Sequence, residues 1–429
     1  MNQYMNYITI KKCRVCGQKE LTEAIRFAPQ FLSPTFVKTN KGNRLAHIKV
    51  PLTVVVCDKS KNPAYCGLVQ LKETTNHELL YKDYFYRSAA NDTMRKDLKD
   101  VVKTVLTKVK TKKGDVVVDI GSNDGTMISY FPKNLTRIGV EPAKNIDWSG
   151  LNPSITVVND YFSKDTLTRT LNGRTVKILT SCAMFYDLDD PNSFVADAAS
   201  VLAPDGVWCI QLSYALSMLL NMNFYDICHE HLEYYSLATL GYLMERNGLT
   251  IFDAETNAVN GGSVRVFITH TARKLKKSAN LSMLLARERR FKLADPATYI
   301  AFNKKIRSLA VTVRTYLAKE IKAGKNVIGL GASTKGNVLL QLFGIDKKML
   351  PYISEIQKAK IGLRTLGTDI ELISDESANK LNPSTKLVLP WYFKKEIVKR
   401  EKPYLMQGGA LLFPMPYAHI VTRKGEVNL

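Results

Sequence analysis

Asp115-Val-Val-Val-Asp119-Ile-Gly121-Ser-Asn-Asp-Gly125-Thr126 is the stretch that decides the fold. Its apolar run, interrupted only by Asp119, reads as a strand buried on both faces, as in a parallel sheet. Glycines at 121 and 125 follow where this strand hands over to a helix expected from Thr126. They let the backbone approach a ligand closely, and the helix start presents free N–H groups. Downstream, Arg137-Ile-Gly-Val-Glu141 reads as a second strand ending in an acid, and residues 156–158 as a third running into Asn159-Asp160. Residues 176–180 give a fourth strand and 193–202 a helix. A Pro204-Asp205-Gly206 turn and a strand over 207–212 close the series. Strand, helix and turn alternate as in a doubly wound α/β sheet. Glu141 stands where a carboxylate can accept hydrogen bonds from two ribose hydroxyls. The full G-x-G-x-x-G dinucleotide fingerprint is absent.

The chain's 429 residues allow two to four domains at roughly 100–200 residues each. Hydrophobic residues at 45% and charged residues at 23% are ordinary for a globular protein. No run approaches the roughly 18 uncharged apolar residues of a membrane span, and the N-terminus lacks a signal-peptide core. A soluble, cytoplasmic protein with no membrane partner is therefore expected, with monomer as the default state. The net charge of +22 favours anionic partners. Its lysines and arginines are dispersed, however, and no nucleic-acid signature with ordered aromatics appears, so nucleic acid is not the expected partner.

Four of the seven cysteines lie in the first 66 residues. Cys13-Arg-Val-Cys16-Gly17 is a knuckle of two thiols turned by a glycine, and Cys57 with Cys66 offers a second pair, though more widely spaced. In a reducing compartment this set reads as a closed structural Zn2+ site rather than as disulfides. Residues 79–106 carry Tyr81, Tyr84 and Tyr86, then the helical pattern Met94, Leu98, Val101, Val102, Val105.

Residues 274–323 are basic and helical in pattern. Strand 326–330 and the loop Gly329-Leu-Gly331-Ala-Ser333-Thr-Lys335-Gly336-Asn337 then repeat the earlier logic in a second α/β domain. That loop fits a phosphate-facing helix start with a lysine counter-charge, though its spacing is not that of a Walker A loop. Between the two glycine loops lies Cys228-His229-Glu230-His231. Its histidines are two apart, not the four of a zinc-protease helix. A histidine beside a carboxylate can act instead as a general base, which a carbon nucleophile requires.

The form D-x-G-x-x-x-G followed by a strand-terminal acid resembles the class I methyltransferases. On that likeness, Asp119, Gly121, Ser122, Asn123, Gly125 and Glu141 hold S-adenosylmethionine (SAM), with Asp160 near the adenine amine. The resemblance then widens to the NDP-sugar C-methyltransferases of deoxysugar pathways. It is carried by Cys13-x-x-Cys16, Cys66-Gly-Leu-Val-Gln-Leu71, Asp119 to Thr126 and Gly139-Val-Glu-Pro142. It continues through His229-Glu-His231, Gly261-Gly-Ser-Val-Arg265-Val, Lys335-Gly-Asn337 and Leu389-Pro-Trp391. The family implies a zinc module and connector (1–90), a SAM-binding Rossmann-like domain (91–272) and a C-terminal Rossmann-like domain (273–429). The last would hold the nucleotide-linked sugar through Gly331, Ser333, Lys335, Gly336, Asn337 and Trp391. It implies His231 as the base, Glu230 in support and Tyr84 or Tyr86 near the sugar, with His229 or a tyrosine available to steady an enolate. Cys228, where a tyrosine is frequent, and Phe185-Tyr186-Asp187, where some members carry a histidine, depart from the pattern and bear on which sugar and carbon react.

The expected activity is thus C-methylation of a nucleotide-linked 4-keto-sugar. Two rivals predict different ligands: a nucleic-acid-binding protein with a methyltransferase-like fold, and an NAD(P)-dependent sugar oxidoreductase.

Overall fold

The computed structural model describes residues 6–76, 79–80, 87–90 and 92–429. Among these, three main sheets organise an α/β molecule. The central sheet has seven strands, in the order Leu249–Asn257, Ser263–His270, Leu202–Ser213, Val176–Cys182, Val116–Ile120, Thr136–Val140, Ile155–Val158. The last five are mutually parallel, while Ser263–His270 runs antiparallel to both of its neighbours. Val116–Ile120 is an interior strand, third of the five parallel ones, and is buried throughout, as its apolar run interrupted only by Asp119 requires.

Two expectations change in detail. The turn at Pro204-Asp205-Gly206 is a bulge inside a longer strand, because Val176 pairs with Leu202 and Ile178 already pairs with Val207. Gly206 is needed there, since a Cβ would sit 2.9 Å from the Val176 carbonyl oxygen. The helix after the first glycine loop is a single turn, Thr126–Ser129. With so little helix behind it, the loop's own backbone and the acid on the next strand must make most of any ligand contact.

The C-terminal sheet has nine strands, in the order Gly425–Asn428, His419–Thr422, Ala410–Phe413, Thr385–Val388, Val327–Leu330, Tyr352–Glu355, Glu371–Ser374, Arg364–Thr365, Phe36–Val37. The five strands from Ala410–Phe413 to Glu371–Ser374 are parallel. Its edge strand Phe36–Val37 comes from the N-terminal region. The N-terminal sheet in turn receives Glu233–Tyr234, which pairs with Val69–Leu71, followed by Lys49–Cys57 and Leu21–Phe31. The cysteine-bearing segment is therefore woven into both α/β units by backbone pairing.

Two helices lead into the C-terminal sheet, Ala279–Phe291 and Pro296–Lys322. The second starts on an Asp295 cap with proline in its first turn. It buries Tyr299, Phe302, Ile306, Val313 and Leu317 along one stripe. Helix Asp92–Lys108 buries the predicted Met94, Leu98, Val101, Val102 and Val105. It is also tied to the central sheet by a polar network. Buried Arg265 donates to Gln211 Oε1 (3.0 Å) and Glu255 Oε1 (2.6 Å), and Gln211 donates to Asp97 Oδ2 (2.6 Å). No helix of the described residues is long and apolar enough to cross a membrane.

Candidate active site

One cleft of about 1650 Å³ joins the two α/β units. That exceeds the roughly 300–1000 Å³ of a usual small-molecule pocket, so it has room for two ligands. Gly121, Asn123 and Glu141 line it from the central sheet, Glu230 and His231 from the histidine segment, and Gly331, Ser333 and Lys335 from the second glycine loop.

Gly121 (φ +71°) turns the chain off its strand, and a Cβ there would press to 3.0 Å on the Met184 side chain. Its N–H and that of Ser122 donate to the Val140 carbonyl, which fixes the loop against the neighbouring strand. Glu141 accepts the Asn123 N–H on Oε2 and the Ala143 N–H on Oε1, each at 2.8 Å. Each oxygen keeps a lone pair, which is what two ribose hydroxyls need. Burial raises this carboxyl, opposed by those two N–H groups.

Other predicted cofactor residues stand back from the cleft. Asp119 lies beneath it, where burial pushes its carboxyl up to about 8 and Thr180 donates to it at 2.8 Å. This buried acid, hydrogen-bonded to Thr180, ties strand Val116–Ile120 to strand Val176–Cys182. Ser122 packs under Gly139, and neither it nor Gly125 lines the cleft. Asp160 is exposed and accepts its own chain's Tyr161 N–H, while Tyr161 and Phe162 form the cleft wall.

The histidine segment separates its two imidazoles. His229 is fully buried, 3.3 Å from the Val50 carbonyl, and burial lowers it to about 4. It faces the N-terminal sheet rather than the cleft, so it cannot steady an enolate there. His231 does line the cleft. Its Nδ1 sits 2.9 Å from the Asp226 carbonyl and must donate to it, which leaves the Nε2 lone pair free to take a proton. Its ring lies 4.2 Å from that of Tyr186. Burial, helped by the nearby Lys335 charge, pushes His231 down to about 3 and keeps it unprotonated. Burial pushes Glu230 up to about 7, against the pull of Lys335. Tyr84 and Tyr86 lie outside the described residues.

Lys335 is not free to face a phosphate. Its Nζ pairs with Asp226 Oδ1 at 2.7 Å, lies 3.2 Å from the Asn260 carbonyl oxygen, and sits 5.0 Å from the Tyr225 ring centre. It is thus the strut between the second glycine loop and the turn that positions His231. Burial works against its charge, but Asp226 holds it above its usual range. Replacing Lys335 by Met should lower stability by about 3–5 kcal/mol, since it strands a buried carboxylate. Adding Asp226→Asn should restore part of the loss in a denaturant titration. An equal or larger loss in the double variant would show that the pair is not the cause.

Ser333 caps its helix by accepting the Gly336 N–H. Asn337 is buried and donates to the Ser33 carbonyl at 2.7 Å, away from the cleft. Trp391 donates to the Tyr225 hydroxyl at 2.6 Å and faces a smaller groove, leaving Tyr392 and Phe393 on the cleft. The sequence reading missed Glu355. It ends the strand after the second glycine loop and accepts the Ala332 N–H at 2.9 Å, as Glu141 serves the first loop. Applying the strand-end rule twice would have found it.

The four N-terminal cysteines converge. Their sulfurs all lie within 4.8 Å of one another, with Cys13–Cys66 at 3.5 Å and Cys16–Cys57 at 3.3 Å. Tetrahedral Zn–S bonds of about 2.3 Å set sulfurs about 3.8 Å apart, so four unbridged thiols at this spacing fit one zinc with no open position. Arg14, between two of them, donates to the Leu71 carbonyl (2.6 Å) and Thr74 (2.7 Å) and approaches Glu233 to 3.6 Å. Glu233 is two residues beyond His231.

Comparison with known proteins gives three consecutive family matches. Residues 13–81 match a zinc binding domain, 90–254 a methyltransferase domain, and 258–416 the C-methyltransferase C-terminal domain. C-methyltransferase NovU of Streptomyces niveus is 27% identical over 428 residues, covering 97% of this chain and 98% of that protein. Among solved structures, a SAM-dependent methyltransferase from Clostridium acetobutylicum covers 42% of this chain and 93% of its own (12% identity, TM-score 0.33). Magnesium protoporphyrin IX methyltransferase from Synechocystis covers 44% and 90% (12% identity, TM-score 0.33). The zinc-binding, methyltransferase and C-methyltransferase C-terminal matches follow one another along the chain, which is a SAM-dependent C-methyltransferase similar to NovU over nearly its whole length.

Proposed function

We propose that the enzyme methylates a carbon next to the ketone of a nucleotide-linked 4-keto-sugar, with His231 as the general base. The observation that carries this reading is the Nδ1 contact of His231 with the Asp226 carbonyl, which leaves the Nε2 lone pair free on a ring that lines the cleft. A ketone acidifies its neighbouring C–H. His231 takes that proton, and Glu230, once ionised, stabilises the imidazolium. Gly121, Asn123 and Glu141 would hold SAM, whose sulfonium supplies an electrophilic methyl group. The glycine loop at 331–333, with Glu355 behind it, would hold the nucleotide, while Lys335 keeps the two halves in register. In this division residues 1–90 brace the histidine segment, 91–272 bind the cofactor and 273–429 bind the sugar nucleotide.

Mass spectrometry of reactions with SAM and a panel of nucleotide-linked 4-keto-sugars tests the substrate class. The expected product is heavier by one methylene, with S-adenosylhomocysteine released. S-adenosylhomocysteine binding without methylation of any panel member would reject the sugar assignment. Glu141→Ala should weaken S-adenosylhomocysteine binding about 10–100-fold by calorimetry, the equivalent of charged hydrogen bonds worth about 1.5–3 kcal/mol. An unchanged affinity would remove Glu141 from the cofactor site.

A further inference from the structure

The reading of His231 as base leaves a difficulty at the other end of the reacting bond. Burial that keeps His231 unprotonated also makes it a weak base, so the charge pushed onto the ketone oxygen needs a partner. Lys335 is committed to Asp226, and His229 faces away.

Asp187 is placed differently. It closes the short turn Phe185–Asp187, which follows strand Val176–Cys182. Tyr186 in that turn packs on the His231 ring, and its carbonyl accepts the Leu232 N–H at 2.7 Å, so the turn is fastened directly to the base's segment. Asp187 lines the cleft together with Glu230 and His231. Its Oδ1 is buried and has no hydrogen-bond partner among the described residues. A carboxylate with one oxygen buried away from any donor is costly, whereas a carboxylic acid can offer its own O–H. Burial, reinforced by Glu230 and Glu233, raises this carboxyl well above the usual range. The arrangement is that of a neutral acid held ready beside a base.

We propose that Asp187 is the acid that meets the substrate's ketone oxygen while His231 deprotonates the adjacent carbon. The C–H electron pair becomes the new C=C bond, the carbonyl π pair moves onto oxygen, and that oxygen takes the Asp187 proton. The products of this half are an enol, an imidazolium and the Asp187 carboxylate. In the second half the enol carbon bonds to the methyl group as the S–CH3 pair stays on sulfur. The carbonyl reforms, its proton returns to Asp187, and the proton on His231 leaves to solvent. Asp187 is therefore a catalytic residue of the proton-transfer half.

This inference rests on the keto-sugar reading, and the test separates the two. Proton NMR in D2O follows exchange of the ring C–H beside the ketone, without SAM, using dTDP-4-keto-6-deoxyglucose and its UDP and GDP counterparts as probes. Wild type should exchange at least one of them. Asp187→Leu should exchange about 10²-fold more slowly or worse, with unchanged S-adenosylhomocysteine affinity and an equal or higher Tm, because an unpaired buried carboxyl is gone. Asp187→Asn keeps an N–H donor but cannot give up a proton to oxygen, and should lie between, at least about tenfold below wild type. Either folded variant exchanging within about threefold of wild type overturns the assignment while the substrate reading stands. If wild type neither exchanges nor methylates any probe, the substrate reading fails and the role of Asp187 with it.

Discussion

Replacing His231 with asparagine is expected to slow methyl transfer about 10²–10⁴-fold while leaving S-adenosylhomocysteine affinity unchanged. The size follows from the loss of proton abstraction alone. Asparagine can still donate to the Asp226 carbonyl as Nδ1 does, so the turn should keep its shape. The cofactor side of the cleft, at Gly121, Asn123 and Glu141, belongs to another part of the sheet. Single-turnover kinetics separate the chemical step from product release, and near-normal single-turnover rates would sink the assignment. Glu230 offers a second readout. Burial holds it near 7, so it ionises only as pH rises through that value. His231, lowered to about 3, is already neutral across that range. Activity should therefore rise with pH through about 7 in wild type. Glu230→Gln should abolish that limb and lower the plateau, because no carboxylate remains to stabilise the imidazolium. A limb that survives Glu230→Gln would mean that another group titrates there.

The fold was legible wherever one segment dictates its own environment. The run from Asp115 to Ile120 could be read as a buried parallel strand because its apolar residues leave neither face for water. The paired acid Glu141 followed from its position at a strand end. What a linear reading could not supply was which way a side chain turns. His229 and His231 are two residues apart, and the choice between base and structural contact depends on Val50 and Asp226, one distant in sequence and the other contributing only its backbone carbonyl. Lys335 looked like a phosphate counter-charge because its partner, Asp226, lies 109 positions earlier. Asp119 and Asp160 show the limit from the other side. The motif places them near a nucleoside, yet Asp119 lies buried beneath the cleft and Asp160 stands exposed beside the Tyr161–Phe162 wall. The N-terminal segment was legible in its ligand chemistry but not in its pairing, because Phe36–Val37 and Glu233–Tyr234 are exchanged between sheets.

That exchange governs the second large effect. The purified protein is expected to carry one zinc per chain. Removing the metal, or replacing Cys66 with serine, should collapse the N-terminal sheet and the active site together. Structural zinc sites are worth about 10–16 kcal/mol at neutral pH, on the scale of the roughly 5–15 kcal/mol that a whole domain is stable by. The consequence for catalysis runs through named contacts. Cys57 ends the strand Lys49–Cys57, Cys66 precedes Val69–Leu71, and the latter pairs with Glu233–Tyr234. Arg14 between Cys13 and Cys16 reaches Leu71, Thr74 and Glu233, and its carbonyl accepts from Asn192 at 2.8 Å. Loss of the metal frees the knuckle, then the strand, then the segment that holds His231. Chelation should therefore abolish turnover and shift the first thermal transition downward, in proportion to the zinc released as measured by elemental analysis. The cofactor pocket is less dependent on this brace, so S-adenosylhomocysteine binding should survive longer than activity. Full activity in protein shown to contain no zinc would reject the coupling. Loss of activity with an unaltered melting profile would place the metal in the chemistry rather than in the fold, which four closed thiolate ligands do not allow.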